Sequence, residues 1–153
     1  MIGQSIARLE DLALLRGQGR FIDDIRLDGQ LYAHCLRSPI AHASITSIDV
    51  SEALSMDGVV EVLTAADAQA DGIGELRDGC ALKSVDGSAF VGPGRPVLAT
   101  DRVRFVGDTV ALVIARSAHA AREAADLIDV DYAPLPVVVV GDQALAPQAP
   151  VIW

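Results

Sequence analysis

Hydrophobic and polar positions alternate along much of the chain in a pattern that predicts a series of short strands. The apolar runs bounded by turn residues are LYAHCLRS (31–38), SITSIDV (44–50), GVVEVLT (58–64), RVRFVGDTVALVIAR (102–116) and IDVDY (128–132). The fourth run predicts two strands around a tight turn. Its second half, TVALVIA, is apolar at nearly every position, which is typical of a strand that is buried on both faces.

Helical spacing is clearest directly after Ser117, a residue type that favours helix N-caps. The apolar positions that follow at i, i+3, i+4 and i+7 are Ala121, Ala124, Ala125 and Ile128. Ser51 is expected to cap one helical turn, and Thr64 a short helix that starts at Ala65. The pattern therefore predicts an α+β fold: a mixed sheet with about two helices packed on it.

Three segments lack a regular strand or helix pattern. Residues 1–19 are expected to form a short helical turn or an extended arm. Residues 69–95 carry many glycines and little periodicity, which predicts a long surface loop. Residues 144–153 are proline-rich and predict the start of a linker.

Composition narrows the possible functions. Of the 153 residues 51% are hydrophobic but only 4% aromatic, and 21 acidic against 12 basic residues give a net charge of −9. This charge disfavours nucleic acid and anionic membranes as partners. The N-terminal residues contain no secretory signal pattern and no apolar run is long enough to cross a bilayer, so the chain is predicted to be cytoplasmic. Cys35 and Cys80 are interpreted as reduced thiols or as a single disulfide.

The stretch LLRGQGRFIDDI (14–25) suggests a phosphate-binding loop or a pair of catalytic carboxylates, but its residue pattern supports neither site. A phosphate loop needs a third glycine and a following helix, whereas here Ile22 takes the glycine position and a strand is expected. Asp23 and Asp24 would point to opposite faces of that strand and could not act as a pair. Asp24 could instead brace a turn.

Ser38 and His42 are near enough in sequence to suggest a nucleophile and its base. No G-x-S-x-G motif supports that chemistry, so polar contacts at a strand end, or hydrogen bonds across an interface, are the simpler interpretations. His34 and His119 are isolated and do not predict a zinc site. Arg104–Asp108 (RFVGD) predicts a hairpin turn in which Gly107 supplies a positive φ.

Five segments, taken together and in order, resemble a known family. They are RLEDLALLRGQGRFIDDI, LYAHCLRSPIAHASITSIDVSEAL, GVVEVLTAAD, RPVLATDRVRFVGDTVALVIA and AAREAADLIDVDYAPLPVVV. This series is similar to the N-terminal α/β hammerhead domain of molybdenum hydroxylase large subunits, the family of xanthine dehydrogenase, aldehyde oxidase and aerobic carbon monoxide dehydrogenase. The resemblance places the hammerhead domain at residues 1–143.

The resemblance implies an oxidoreductase that hydroxylates a carbon centre with oxygen from water. The full enzyme would use a molybdenum–molybdopterin cytosine dinucleotide, with iron–sulfur clusters and FAD on partner subunits or domains. The family's cofactor-binding loops and catalytic glutamate lie downstream of the hammerhead, so this chain is expected to be non-catalytic and to hold no cofactor or metal itself. It would be a truncated gene, an expressed fragment or a split subunit.

In the family the hammerhead packs on the molybdenum-binding domains and on the iron–sulfur partner. By their positions in the matched motifs, the expected interface or structural residues are Arg16, Gly19, Arg20, Asp23, Asp24, Arg37, Ser38, His42, Arg104, Gly107 and Asp108. Two alternatives remain: a free-standing binding or scaffold module without redox activity, and a small enzyme that uses Ser38 and His42 or the 69–95 loop. The sequence does not select a substrate among purines, aldehydes, N-heterocycles and carbon monoxide.

Overall fold

The computed structural model of the chain describes residues 2–3, 5–6, 8–77, 79, 82–83, 85–89 and 92–153. The chain divides into two compact units, residues 1–30 and residues 31–153. Each unit is described by itself below.

The N-terminal unit contains a short helix, α1 (Asp11–Leu15), and a 3-10 helix, Ile22–Asp24. The strand expected from Phe21 onwards was therefore wrong. The physical reason is local: the Asp24 carboxylate accepts a hydrogen bond from the Phe21 backbone N–H at 2.8 Å and closes a tight turn. Asp24 thus braces a turn, as expected from the sequence. Separately, Gly17 has a positive φ of 67° just after α1.

The second unit carries the sheets. Its strands are β1 (Tyr32–Arg37), β2 (Ala43–Asp49), β3 (Val59–Leu63), β4 (Arg102–Val103), β5 (Thr109–Ala115) and β6 (Asp129–Pro134). Its helices are α2 (Ser51–Ser55), α3 (Ala65–Ala70), α4 (Ala118–Asp126) and α5 (Gly141–Ala144). The predicted α+β class is confirmed. In place of one mixed sheet, the described strands form two three-stranded sheets, in the orders β1-β5-β3 and β4-β2-β6, with antiparallel pairing throughout.

Strand β5 lies between two hydrophobic cores, which explains its continuous apolar run. On one face, Ala111 and Val113 pack in a core with α2, β3 and α4, whose buried members include Ala53, Val62, Ala124, Ala125 and Ile128. On the other face, Val110 packs with Ala43 and Val103 of the second sheet. The prediction that this strand is buried on both faces is confirmed.

The hairpin predicted around Gly107 was wrong. Strand β4 pairs with β2, through Ala43 opposite Val103, whereas β5 pairs with β1 and β3. The two strands on either side of the turn therefore belong to different sheets. The turn thus leads the chain from the core that contains Val103 to a strand whose other face packs in the second core.

The helix caps follow the sequence at two of three positions. Ser117 Oγ accepts a hydrogen bond from the Ala120 N–H at 3.1 Å and caps α4. Thr64 is the N-cap of α3, and both its N–H and its hydroxyl donate to Asp67 Oδ2 at 2.7 Å. At α2 the N-cap is Val50, and Ser51 is the first helical residue and not the cap. The Asp49 carboxylate, just before the cap, accepts from the Ser51 N–H at 2.9 Å.

The segment predicted as a long loop begins with the end of α3. Its described part is held by isolated bridges that pair Leu76 with Arg95 and Lys83 with Ala89. Cys35, in β1, is a free cysteine, and Cys80 lies outside the described residues. None of the described helices has the length and apolar character that a membrane crossing requires.

The alanine stripe of α4 leads to a stability prediction. Ala124 is fully buried against the sheet, so Ala124→Leu forces extra volume into a closed contact. We expect a loss of about 1–3 kcal/mol in the free energy of unfolding, measured by urea denaturation. Ala118→Leu, on the exposed first turn of the same helix, should change stability by no more than about 0.5 kcal/mol. Equal effects of the two substitutions would contradict the close helix–sheet approach.

Candidate functional site

Several of the predicted interface residues come together where β1 ends and the turn before β5 begins. We call this group the junction cluster; it consists of Arg37, Ser38, Arg104, Gly107 and Asp108. His42 follows β1 on the same segment, and its ring bonds to Pro136. The cluster cannot be recognised from the sequence, because Arg37 and Gly107 are 70 positions apart in the chain. The strand pairing of β1 with β5 brings the two segments together.

Main-chain hydrogen bonds hold the cluster. The Ser38 N–H donates to the Asp108 carbonyl, and the Gly107 N–H donates to the Ser38 carbonyl, each at 2.8 Å. The Arg37 guanidinium donates to the Gly107 carbonyl at 2.9 Å. These bonds extend the pairing of β1 and β5 beyond the register irregularity at Arg37, so the turn is fixed to the end of β1.

The turn itself is closed by Asp108. Its side-chain Oδ2 accepts from the Arg104 backbone N–H at 3.0 Å, and its own N–H donates to the Phe105 carbonyl at 3.1 Å. Gly107 has a φ of +94°, a conformation that an L side chain rarely adopts. The positive φ expected at Gly107 is therefore confirmed, although the turn joins two sheets.

Ser38 and His42 are both buried, with 2% and 5% of their surface exposed, and each has a structural partner. The Ser38 hydroxyl donates to the Ile40 carbonyl at 2.9 Å and accepts from the Ile40 N–H at 3.0 Å. His42 Nδ1 lies 2.6 Å from the Pro136 carbonyl, which only accepts, so we assign the ring proton to Nδ1. This geometry supports the strand-end contacts predicted for the pair and does not support a nucleophile and base.

Tyr132, on β6, is a neighbour of the cluster that sequence reasoning assigned only to a strand face. Burial, the largest cause, raises the pKa of its hydroxyl above the ordinary value of 10.0, hydrogen bonding with Ser38 opposes the rise, and the negative charge of Asp108 adds to it. A period-2 pattern shows which face of a strand a tyrosine occupies but not which loop it meets.

Arg104 extends the cluster towards the C-terminal residues. Its side chain is only 16% exposed, and its guanidinium lies over the ring of Trp153, 4.7 Å from the ring centroid. A carboxylate oxygen of Asp101 is 3.8 Å from one of its terminal nitrogens. The remaining predicted interface residues belong to the N-terminal unit and not to this cluster: Arg16, Gly19, Arg20, Asp23 and Asp24.

The described residues contain no group of three or more His, Cys, Asp or Glu side chains placed to hold a metal ion. His119 makes an i,i+4 contact with Glu123 at 3.1 Å on the surface of α4.

Comparison with protein-family models decides the family. Residues 16–136 match the model described as aldehyde oxidase and xanthine dehydrogenase, a/b hammerhead domain. The chain belongs to this hammerhead family. The match includes the junction cluster and every strand of the hammerhead, β1 to β6.

Individual relatives agree with this assignment. The chain is 37% identical over 145 residues to the carbon monoxide dehydrogenase large chain of Afipia carboxidovorans, covering 95% of this chain and 17% of the relative. It is 41% identical to the nicotine 6-hydroxylase large subunit of Paenarthrobacter nicotinovorans, covering 91% and 16%. The crystal structure of quinoline 2-oxidoreductase from Pseudomonas putida 86 matches with a TM-score of 0.79 and 43% identity, covering 97% of this chain and 18% of that one. The hammerhead chain thus spans about a sixth of the length of these relatives.

Gly107 offers a direct test of the turn in this hammerhead domain. Gly107→Ala places a Cβ on a residue with φ of +94° and should lower the free energy of unfolding by about 1–2 kcal/mol. Gly74→Ala is the matched control, because that residue has no positive φ and open space around it. Urea midpoints compare the two; a neutral Gly107→Ala would contradict the positive φ.

Tyr132 predicts a specific alkaline response. A folded-state pKa above the unfolded one contributes stability that is fully present below the unfolded pKa and lost as pH rises through the folded value. Urea unfolding from neutral pH to beyond the ordinary tyrosine pKa of 10.0 should show this loss in the wild type. Tyr132→Phe should reduce the alkaline loss relative to the wild type. A pH profile of Tyr132→Phe identical to that of the wild type would contradict a raised pKa at Tyr132.

Proposed function

We propose that this chain is a non-catalytic hammerhead domain of a molybdenum-cofactor hydroxylase, an oxidoreductase that hydroxylates a carbon centre with oxygen from water. One observation carries the proposal: the family match covers most of the chain, and the chain covers only about a sixth of relatives that are whole large subunits. A domain of this share contributes packing surface to a much larger catalytic assembly. A cytoplasmic location stays a prediction of the sequence.

The exposed surface of the N-terminal unit supports a packing role. None of the described residues among the first 30 is buried, although the segment is rich in large apolar side chains. Those more than half exposed are Ile2, Ile6, Leu9, Leu12, Leu15, Phe21, Ile22 and Leu27. Hydrophobic side chains that lack a core of their own are stabilised when another surface covers them. The proposed partners are the molybdenum-binding domains and the iron–sulfur subunit, with a flavin subunit in the same complex.

The junction cluster has the character of a structural element of such a domain. Ser38 and Asp108 of the cluster, and His42 on the segment after β1, form hydrogen bonds with main-chain groups, which supports a structural role for them. We place the molybdenum–molybdopterin cytosine dinucleotide, the iron–sulfur clusters and FAD on the other domains or subunits. When bound there, the molybdenum group would supply the redox chemistry of the hydroxylation, and this chain would supply support and orientation.

Molybdenum analysis tests the absence of a cofactor site. The chain purified alone should contain no stoichiometric molybdenum by inductively coupled plasma mass spectrometry. The chain co-expressed with the cofactor-domain sequence found in its own or a neighbouring reading frame should co-purify with it, and that complex should contain molybdenum. Stoichiometric molybdenum on the isolated chain, or a genome without cofactor domains beside this gene, would refute the proposal and favour a free-standing scaffold module.

The same co-purification includes a matched pair of variants. Leu15 and Leu145 are similarly exposed, at 86% and 88%, but only Leu15 belongs to the N-terminal unit. Burial of one leucine contributes about 1.5–3 kcal/mol, so Leu15→Glu should weaken the complex by about tenfold or more. Leu145→Glu should leave it unchanged. Equal retention of both variants would contradict docking through the N-terminal unit.

A further inference from the structure

The last residues of the chain return to the folded unit after an exposed excursion. Every residue from 139 to 148 is exposed, whereas Ala149, Pro150 and Ile152 are partly buried and Trp153 is 48% exposed. A segment without regular structure has no intrinsic reason to regain burial. Val151 remains 81% exposed, so the segment is only partly covered, and its partial burial requires a contact with another part of the chain.

Arg104 provides that contact. Its guanidinium stands over the Trp153 ring at 4.7 Å from the centroid, a cation–π arrangement. A carboxylate oxygen of Asp101 is 3.8 Å away, and Nη1 donates to the Arg102 carbonyl at 3.5 Å. The buried Nε has no hydrogen-bond partner among the described residues. The guanidinium therefore forms no bidentate ion pair with Asp101. One of its planar faces is available to stack on an aromatic ring.

The surroundings of Trp153 form a recess. Two cavities, of about 380 and 190 Å³, are both lined by Pro96, Val97, Arg104 and Trp153. The indole consequently stands in the wall between them, with apolar side chains and a cation as its neighbours. This combination fits a large planar aromatic side chain.

We infer that Arg104, Pro96 and Val97 form an aromatic-anchoring recess, and that Trp153 of the same chain is its occupant. The anchor holds residues 149–153 against the turn between β4 and β5. Arg104 is itself positioned by its main-chain bond to Asp108, so the anchored segment is coupled to the junction cluster. This inference is independent of the proposed function, because it concerns contacts within the chain.

Trp153 is the only tryptophan, so its fluorescence reports the anchor directly. In the wild-type chain, acrylamide should quench Trp153 less than free N-acetyltryptophanamide. Arg104→Met removes the charge but keeps the backbone N–H that bonds Asp108. An exposed cation–π contact corresponds to a two- to fivefold change in an equilibrium, so the docked-to-undocked ratio should fall by about that factor. The variant should therefore show stronger quenching and a red-shifted emission. Arg104→Lys, which keeps the charge but not the planar group, should fall between wild type and Arg104→Met.

The control is Arg122→Met, which makes the same chemical change on the exposed face of α4 and should leave the emission unchanged. Far-UV circular dichroism establishes that each variant is folded. A folded Arg104→Met chain with wild-type quenching would overturn the anchor. If Arg104→Met does not fold, the wild type and Arg104→Lys test the anchor instead. Quenching of wild-type Trp153 equal to that of free N-acetyltryptophanamide would overturn the anchor. Protection of Trp153 that is reduced in Arg104→Lys would support the anchor.

Discussion

Burial of β5 on both faces is the constraint on which the rest of the second unit depends. Ala111 and Val113 face the core under α4, while Val110 faces the core of the other sheet. Each core is small and built mainly from alanine and valine, so neither sheet has enough apolar surface to be stable apart from the other. The central strand joins them, and its pairing with β1 and β3 fixes where every neighbouring element packs.

The junction cluster is the place where the chain passes between these cores. Gly107 takes the positive φ that the crossing requires, and Asp108 satisfies the Arg104 N–H that the turn would otherwise leave unpaired. The same turn is bonded to Ser38 through two main-chain hydrogen bonds. Ser38, a candidate nucleophile in the sequence, thus helps to hold the turn in place. The Arg104 guanidinium, at the start of the same turn, contacts the ring of Trp153.

Small residues fill the cores while many large ones remain on the surface, and this division suits a domain that completes its packing in an assembly. Alanines 121, 124 and 125 let α4 lie close to the sheet. Leu9 and Leu15, by contrast, are exposed in a unit whose described residues include none that is buried. The hammerhead family match and the short share of its relatives that the chain covers agree with this view.

Sequence alone was sufficient for features that depend on neighbouring residues. The two-sided burial of TVALVIA, the Ser117 cap and the alanine stripe of α4 follow from periodicity and capping chemistry. The motif series also identified the family, because five matches in order are specific where each alone is weak. Only the tertiary structure assigned β4 and β5 to different sheets and brought Arg37 to Gly107 and Arg104 to Trp153. Those outcomes depend on which strands pair across long separations, and hydrophobic alternation records the face of a strand but not its partner.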